Sequence, residues 1–335
     1  MRVDTGISCD LAVAAEQASA AERTGYDALW VAETDHDPFF PLLLAAGSTE
    51  RVQVGTSIAV AFSRSPMTLA ATANDLNVAS KGRHILGLGS QIKPHIEKRF
   101  SMPWSHPAPR MREFILAMQA IWDCWNNGTK LEFRGEFYKH TLMTPMFSPK
   151  PSAFGAPQVY LAGVGELMTE VAGEVCDGFI SHAFTTERYM REVTLPALER
   201  GRAKIGKTRD GFDFSCPAFV VTGVSEEAMV KSAAVVKQRL AFYGSTPAYK
   251  TVLNMHGWGD VHLSLNSLSK LGKWVEMGDL ITDEMLHTFA IVAEPQHLAA
   301  HMIERFGDIA NRVTLEQPPN IDANIWNEVI AELKA

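Results

Sequence analysis

No two cysteines in this sequence are spaced as CxxC; the four stand far apart, at Cys9, Cys124, Cys176 and Cys216. That spacing leaves no zinc knuckle and no thioredoxin-type redox pair, and loose cysteines suit a reducing compartment. Positive charge is not in surplus. Lys and Arg number 31 against 38 Asp and Glu, a formal net charge of −7, whereas a duplex-binding chain needs excess cations to displace phosphate counterions. Nucleic acid is therefore not an expected partner. Long apolar runs are missing too. The longest, residues 39–47, is broken by Pro41 and falls far short of the roughly 20 residues a membrane helix needs. No membrane association is expected. Without a basic-then-apolar leader, the expected location is the cytoplasm. Neither a GxSxG elbow nor a GxxxxGK(S/T) loop occurs, which turns the reading away from the common hydrolases and NTPases.

What is present is a globular composition, 46% hydrophobic and 21% charged over 335 residues, with short β-rich runs alternating with amphipathic stretches. Strands are predicted over 3–8, 28–33, 52–61, 83–89, 158–162, 178–181, 212–222 and 312–316. Helices are predicted over 11–24, 39–47, 66–80, 107–126, 166–176, 187–205, 226–243, 298–306 and 322–333. Gly25 stands where a C-cap glycine belongs and Pro66 where a first-turn proline does. Residues 90–106 read as a long loop. Eight strand candidates are the number that closes a (β/α)8 TIM barrel, here a single domain over 1–335. Two insertions interrupt it: a hairpin and Pro-rich connector near 128–157 and a helical region near 244–286.

In such a barrel, function sits at the C-terminal ends of the strands. After the second strand comes Glu33-Thr34-Asp35-His36-Asp37-Pro38, where three carboxylates flank one imidazole and would favour its protonated form. His36 there can act as general acid or base; the plainer reading is a polar loop whose Asp37 caps the next helix. Gly55 to Ala59 places a glycine and hydroxyls inside a strand, either an ordinary strand or one approached closely by a flat ligand. Gly87-Leu88-Gly89-Ser90 and Ala162-Gly163-Val164-Gly165 each follow a strand, where glycine lets backbone N–H groups approach a phosphate or simply makes a tight turn. Ile92 and Met168 occupy the third glycine's place, so the dinucleotide fingerprint fails. His182, Thr185 and Thr186 follow the sixth strand and either add polar contacts or cap the next helix. His297, His301 and Glu304 share a helix face, but HExxH is absent and a solvated face is the favoured reading; no metal is expected. Aromatic residues in predicted loops, among them Phe62, Trp104, Tyr243, Tyr249 and Trp258, could wall a site for a planar cofactor and an apolar small-molecule substrate.

Taken in order, the stretches GYDALWVAETDHDPF, VGTSIAVAFSRSPMTLA, KGRHILGLGSQ, FYKHTLMTPMFSPKP, PQVYLAGVGELMTEVAGEVCDGFI and YGSTPAYKTVLNMHGWGD resemble the luciferase-like superfamily. Within it they resemble the deazaflavin (coenzyme F420)-dependent oxidoreductases. The resemblance implies a barrel that holds a flavin-type ring at its strand ends. It implies His36 as the proton donor or acceptor that accompanies hydride transfer, with Asp35 on the ring. Ser57 and Ile58 match a strand-three bulge with a non-prolyl cis peptide that supports the ring. Ala162, Gly163, Val164 and Gly165 match the turn that binds the cofactor's phosphate-bearing tail; Ser90 lies at the other matching turn, and His182 joins the cofactor contacts. Phe62, Trp104 and Trp258 are the candidates for the substrate wall. One departure stands out: some sugar-phosphate dehydrogenases of the family carry a glutamate just after the fourth strand, where this chain reads Ser90-Gln91-Ile92-Lys93. The alternative within the same fold is an FMN-dependent monooxygenase using molecular oxygen. A homodimer is the oligomer that the family analogy implies.

Overall fold

Apolar and β-branched runs punctuated by glycine and polar turns form short strands. In the computed structural model, which describes residues 1–319 and 321–335, these are β1 (Arg2–Gly6), β2 (Ala28–Val31), β3 (Gln53–Thr56), β4 (Ala59–Val60), β5 (His84–Gly89), β6 (Phe133–Arg134), β7 (Lys139–His140), β8 (Gln158–Gly163), β9 (Gly178–Ser181), β10 (Asp213–Pro217), β11 (Phe219–Val221), β12 (Ala290–Val292) and β13 (Arg312–Thr314). The main sheet runs β3-β2-β1-β13-β10-β9-β8-β5-β4, and β3 also pairs with β5, so the sheet closes. β3 and β4 are two halves of one stave parted at Ser57 and Ile58. Eight staves thus make the closed (β/α)8 barrel that the strand count predicts.

The described residues group into two compact units. The first comprises Asp4–Ile180 and Ala197–Asp213. Its strands alternate with α1 (Ala14–Thr24), α2 (Phe39–Ser48), α3 (Pro66–Ala79), α4 (Lys93–Lys98), α5 (Pro107–Asn127) and α6 (Glu166–Val175). Local chemistry sets the helix ends. Gly25 closes α1 at φ 96°, in the left-handed region glycine enters without steric cost. Ser65 caps α3 by accepting from the Thr68 amide at 3.1 Å, with Pro66 in the first turn. α5 buries Phe114, Ile115, Met118, Ile121, Trp122 and Trp125, the three-and-four spacing of one helix face.

Inside this unit Ala28, Trp30, Ile85, Tyr160 and Ile180 form one cluster, with Ile58 and Ala162 packed against it. The register sets Trp30 opposite Gly55, and a Cβ added at Gly55 would lie 2.4 Å from the Trp30 ring. The close approach that a glycine in this strand signals is therefore made by the indole. Trp30 Nε1 donates to the buried Asp4 at 3.0 Å, and the Tyr160 hydroxyl donates to Asp213, so the polar tips of both large rings are satisfied.

The second unit comprises Met1–Val3, Ser181–Pro196 and Phe214–Ala335. After β9, α7 (Glu187–Tyr189) runs through a π turn at Met190–Thr194 into α8 (Leu195–Lys204). Then come α9 (Glu226–Gly244), α10 (Lys250–Met255), α11 (Gly259–Lys270), α12 (Trp274–Gly278), α13 (Asp283–Phe289), α14 (Pro295–Phe306) and α15 (Ala323–Lys334). α10 to α13 carry the helical insertion, and the expected hairpin is the antiparallel pair β6–β7. Three expectations need correction. The strand over 212–222 splits after Pro217, because proline has no N–H to continue the ladder; β11 pairs instead with β12 in a separate parallel ribbon. β12, three residues of the short apolar run Phe289 to Ala293, is not among the predicted strands. The loop over 90–106 contains α4. Among the described residues, no helix is long and apolar enough to cross a membrane.

His84, at the start of β5, is 1% exposed. Its Nδ1 lies 2.9 Å from the Val54 carbonyl, and its Nε2 has no partner. Burial lowers its pKa from 6.5 to about 4. The unfolded chain therefore takes up this proton first as the pH falls, so the contribution is complete above 6.5 and is lost towards 4. Tm is expected to decline across that window, and His84→Asn, which keeps a donor to Val54 but cannot titrate, is expected to flatten the decline. An unaltered slope in scanning calorimetry would contradict this assignment.

Candidate active site

In the first unit, the loop after β2 separates its charges into two sets. His36 Nε2 lies 3.6 Å from Asp35 Oδ2, and both side chains face solvent, at 64% and 76% exposure. The Thr34 hydroxyl donates to Asp35 Oδ1 at 2.7 Å and holds that carboxyl below the usual range, so Asp35 is ionised beside the imidazole. The other two carboxylates turn to Arg64. Glu33 Oε2 accepts from Arg64 Nη1 at 2.6 Å, and Asp37 Oδ2 accepts from Arg64 Nη2 at 2.9 Å. One carboxylate, and not three, is therefore in ion-pair range of His36. Asp37 also takes its capping role, accepting from the Phe39 amide at 2.9 Å. Beneath the loop, the Cys9 thiol donates to the Ala32 carbonyl at 3.0 Å; burial and the nearby Asp35 push its pKa up.

The peptide bond between Ser57 and Ile58 is cis. Ser57 N donates to the Val31 carbonyl at 2.8 Å, and Glu33 N donates to the Ile58 carbonyl at 3.2 Å, so this bulge and the Asp35–His36 loop are joined by backbone. Ile58 and Ala162 pack on the Trp30–Tyr160 cluster, and a Cβ at Gly89 would meet Ile58 Cδ1 at 2.8 Å. Three strand ends thus share an apolar platform. The two glycine turns differ. Gly87 and Gly89 are spent on packing against Thr56 and Ile58, whereas a Cβ at Gly165 would meet nothing within 4 Å. α6 begins at that glycine with no side-chain cap, leaving its first-turn amides to an outside acceptor. Ser90 Oγ donates to the Gln91 carbonyl at 3.1 Å. Phe62 has no exposed surface; it lies under Trp104, with ring centroids 5.8 Å apart, and under the Arg110 guanidinium at 4.6 Å. The contact surface at that place belongs to Trp104.

His182 and Trp258 fall in the second unit, within a group of rings. His182 stacks on Tyr249 at 4.5 Å and meets Tyr243 edge-on at 4.6 Å. Its Nδ1 accepts from the Phe184 amide at 2.9 Å, which leaves the ring proton on Nε2. Burial lowers its pKa to about 4, so it is a neutral donor. Trp258 stacks on His256 at 4.8 Å, whose Nε2 lies 2.8 Å from Thr186 Oγ1. Thr186 also caps α7, accepting from the Tyr189 amide at 3.2 Å. An open cleft of about 400 Å³ lies beside His256, with Arg188, Arg191 and Arg305 in its wall. Those cations are committed to Glu192, to Glu187 and Asp308, and to the carbonyls of Ala290 and His287. His301 lies 3.8 Å from Glu304, and no His, Cys, Asp and Glu group among the described residues could hold a metal ion. Arg64 is the residue that sequence reading missed; its only signal is a lone base in the turn after the third stave.

The model of the luciferase-like monooxygenase family matches residues 2–311. The chain belongs to that family. It is 52% identical over 313 residues to an uncharacterized protein of Mycobacterium tuberculosis, covering 93% of this chain and 92% of the relative. It is 28% identical over 333 residues to the 5,10-methylenetetrahydromethanopterin reductase of Archaeoglobus fulgidus, covering 94% and 93%. The solved coenzyme F420-dependent tetrahydromethanopterin reductase of Methanopyrus kandleri shares the fold at a TM-score of 0.81 and 19% identity, over 99% of this chain and 96% of that one. As a member of the luciferase-like family, the chain is an oxidoreductase.

Proposed function

We propose that the chain is an F420-dependent oxidoreductase that transfers a hydride between the deazaflavin and a small organic substrate. The observation that carries this reading is the joint placement of an apolar platform, Ile58 with Ala162, and an ionised Asp35 beside His36 on a loop bonded to that platform. The donor set suits the group. A flat ring needs a smooth apolar support, its polar edge needs Asp35, and an anionic tail needs free amides such as those opening α6 beside the unfilled space at Gly165. The F420-dependent relatives support the same reading at family level.

When bound, the deazaflavin supplies the carbon that gives or takes the hydride. The chain does the rest. Ile58 and Ala162 support the ring, and the Gly163–Gly165 turn with the first amides of α6 holds the tail. His36 gives a proton to the substrate oxygen in reduction and takes it back in oxidation, while Asp35 steadies the charged imidazole. Because Ser90-Gln91-Ile92-Lys93 offers no carboxylate after β5, His36 carries the proton transfer without an acid partner there, and a sugar phosphate is disfavoured as substrate. The test is turnover of reduced F420 against a panel of ketones, aldehydes and enones, followed by the return of the oxidised cofactor's visible absorbance. Turnover with at least one carbonyl class is expected; F420 binding with no turnover across the panel would reduce the protein to a cofactor binder.

A further inference from the structure

Arg64 holds the His36 loop at both ends. Its Nη1 reaches Glu33 Oε2 at 2.6 Å and its Nη2 reaches Asp37 Oδ2 at 2.9 Å, so one planar guanidinium spans the two residues that bracket Thr34-Asp35-His36. The same Nη1 lies 3.2 Å from the Val60 carbonyl and 3.1 Å from Ser63 Oγ, and Ser63 Oγ itself donates to that carbonyl at 2.8 Å. Glu33 Oε2 also accepts from the Val60 amide at 2.7 Å, and Glu33 N donates to the Ile58 carbonyl. The Arg64 and Glu33 side chains are 17% and 6% exposed. The guanidinium further lies over the Phe39 ring at 5.6 Å. Apart from the Asp37 cap on the Phe39 amide, the bonds named at the two ends of the loop thus run to residues 58–64, while Asp35 and His36 project between them.

We propose that Arg64 is a positioning residue: by holding Glu33 and Asp37 together it fixes the Asp35–His36 loop in register with the Ile58 platform. The inference rests on the deazaflavin reading only for its activity arm. A lysine would not serve, since one compact ammonium lacks the planar fork that spans two carboxylates.

Charge and geometry make opposite demands, and this separates them. The charged and titratable groups on or against the loop that carries His36 are Asp35, Asp37, Glu33 and Arg64, with Arg99 on the Thr34 carbonyl and the Cys9 thiol on the Ala32 carbonyl. Arg64→Gln removes a positive charge and Asp37→Asn removes a negative one, so an effect on His36 through charge alone moves in opposite directions in the two variants. A clamp moves both the same way. Amide exchange at Glu33 and Val60, measured on the protein alone, is expected to quicken about tenfold or more in Arg64→Gln and less, in the same sense, in Asp37→Asn. F420 Kd is expected to rise and kcat to fall in both, and Arg64→Lys is expected to recover neither in full. Unchanged exchange in both variants, or kcat shifts of opposite sign, would overturn the proposal. If Arg64→Gln does not fold, Asp37→Asn, which alters a 40% exposed side chain, decides the matter by the same two readouts. Because exchange needs no cofactor, a wild-type protein that ignores F420 would remove the cofactor reading and leave the clamp standing or falling on its own result.

Discussion

His36→Ala is expected to lower kcat by roughly a hundred- to ten-thousand-fold, the range a positioned general acid or base contributes, with little change in F420 Kd. Three observations set these expectations. His36 is the imidazole of the loop that Glu33 bonds to the Ile58 carbonyl, and Ile58 belongs to the platform proposed for the ring. Its ion-pair partner is Asp35 at 3.6 Å, and Asp35, held ionised by Thr34, remains in the variant for the ring contact proposed for it. The side chain is 64% exposed, so its removal opens no cavity and Tm should stay within about a degree of wild type. Loss of an interaction made only in the transition state lowers kcat and kcat/KM together. Steady-state kinetics with an active carbonyl substrate measures this directly; unaltered kcat would take the proton-transfer role from His36.

The largest stability effect is expected at Gly87. A Cβ there would lie 1.9 Å from the Thr56 carbonyl oxygen and 3.0 Å from Ile180 Cδ1. The first of these is barrel backbone, already tied to the same stave by the Thr56 hydroxyl donating to the Gly87 carbonyl at 2.7 Å. Neither strand can yield without disturbing the ladder, so Gly87→Ala should cost about 3 kcal/mol, the upper part of the ordinary range for overpacking. That corresponds to a fall in Tm of roughly 4 °C for a chain of this size. The displaced segment leads directly into Ser57 and Ile58, so F420 affinity should fall as well. Gly165→Ala is the contrasting case. Nothing lies within 4 Å of the added Cβ and φ is −83°, so stability should hold to about 0.5 kcal/mol, while F420 Kd rises because the methyl group enters the space proposed for the tail. Thermal melts together with cofactor titration separate the two outcomes; a Gly165→Ala variant that binds F420 like wild type would remove that turn from the site.

The strands that could be read in advance are those buried on both faces, such as ALWV at 28–31 and HILGLG at 84–89, because parallel barrel staves are written as nearly continuous apolar runs. The glycine in the third stave was legible as a point of close approach, but its partner, the Trp30 ring, is set by strand register and has no local pattern. The same limit hid Arg64. Its carboxylate partners lie 27 and 31 residues away, and the local sequence shows only a base following a strand. The loop chemistry at Asp35 and His36 was visible as charge density, yet which carboxylates face the imidazole follows from the guanidinium that claims the other two. Pairing between distant segments decides these details, and single-sequence periodicity does not record it.

The proposed function requires a deazaflavin bound on the strand ends of the first unit. Titration of the purified protein with F420, and separately with FMN, followed by cofactor fluorescence, tests it most directly. Saturable, stoichiometric F420 binding is expected, weakened in Gly165→Ala and retained in His36→Ala, with FMN bound far more weakly. Tight FMN binding with no response to F420 would contradict it.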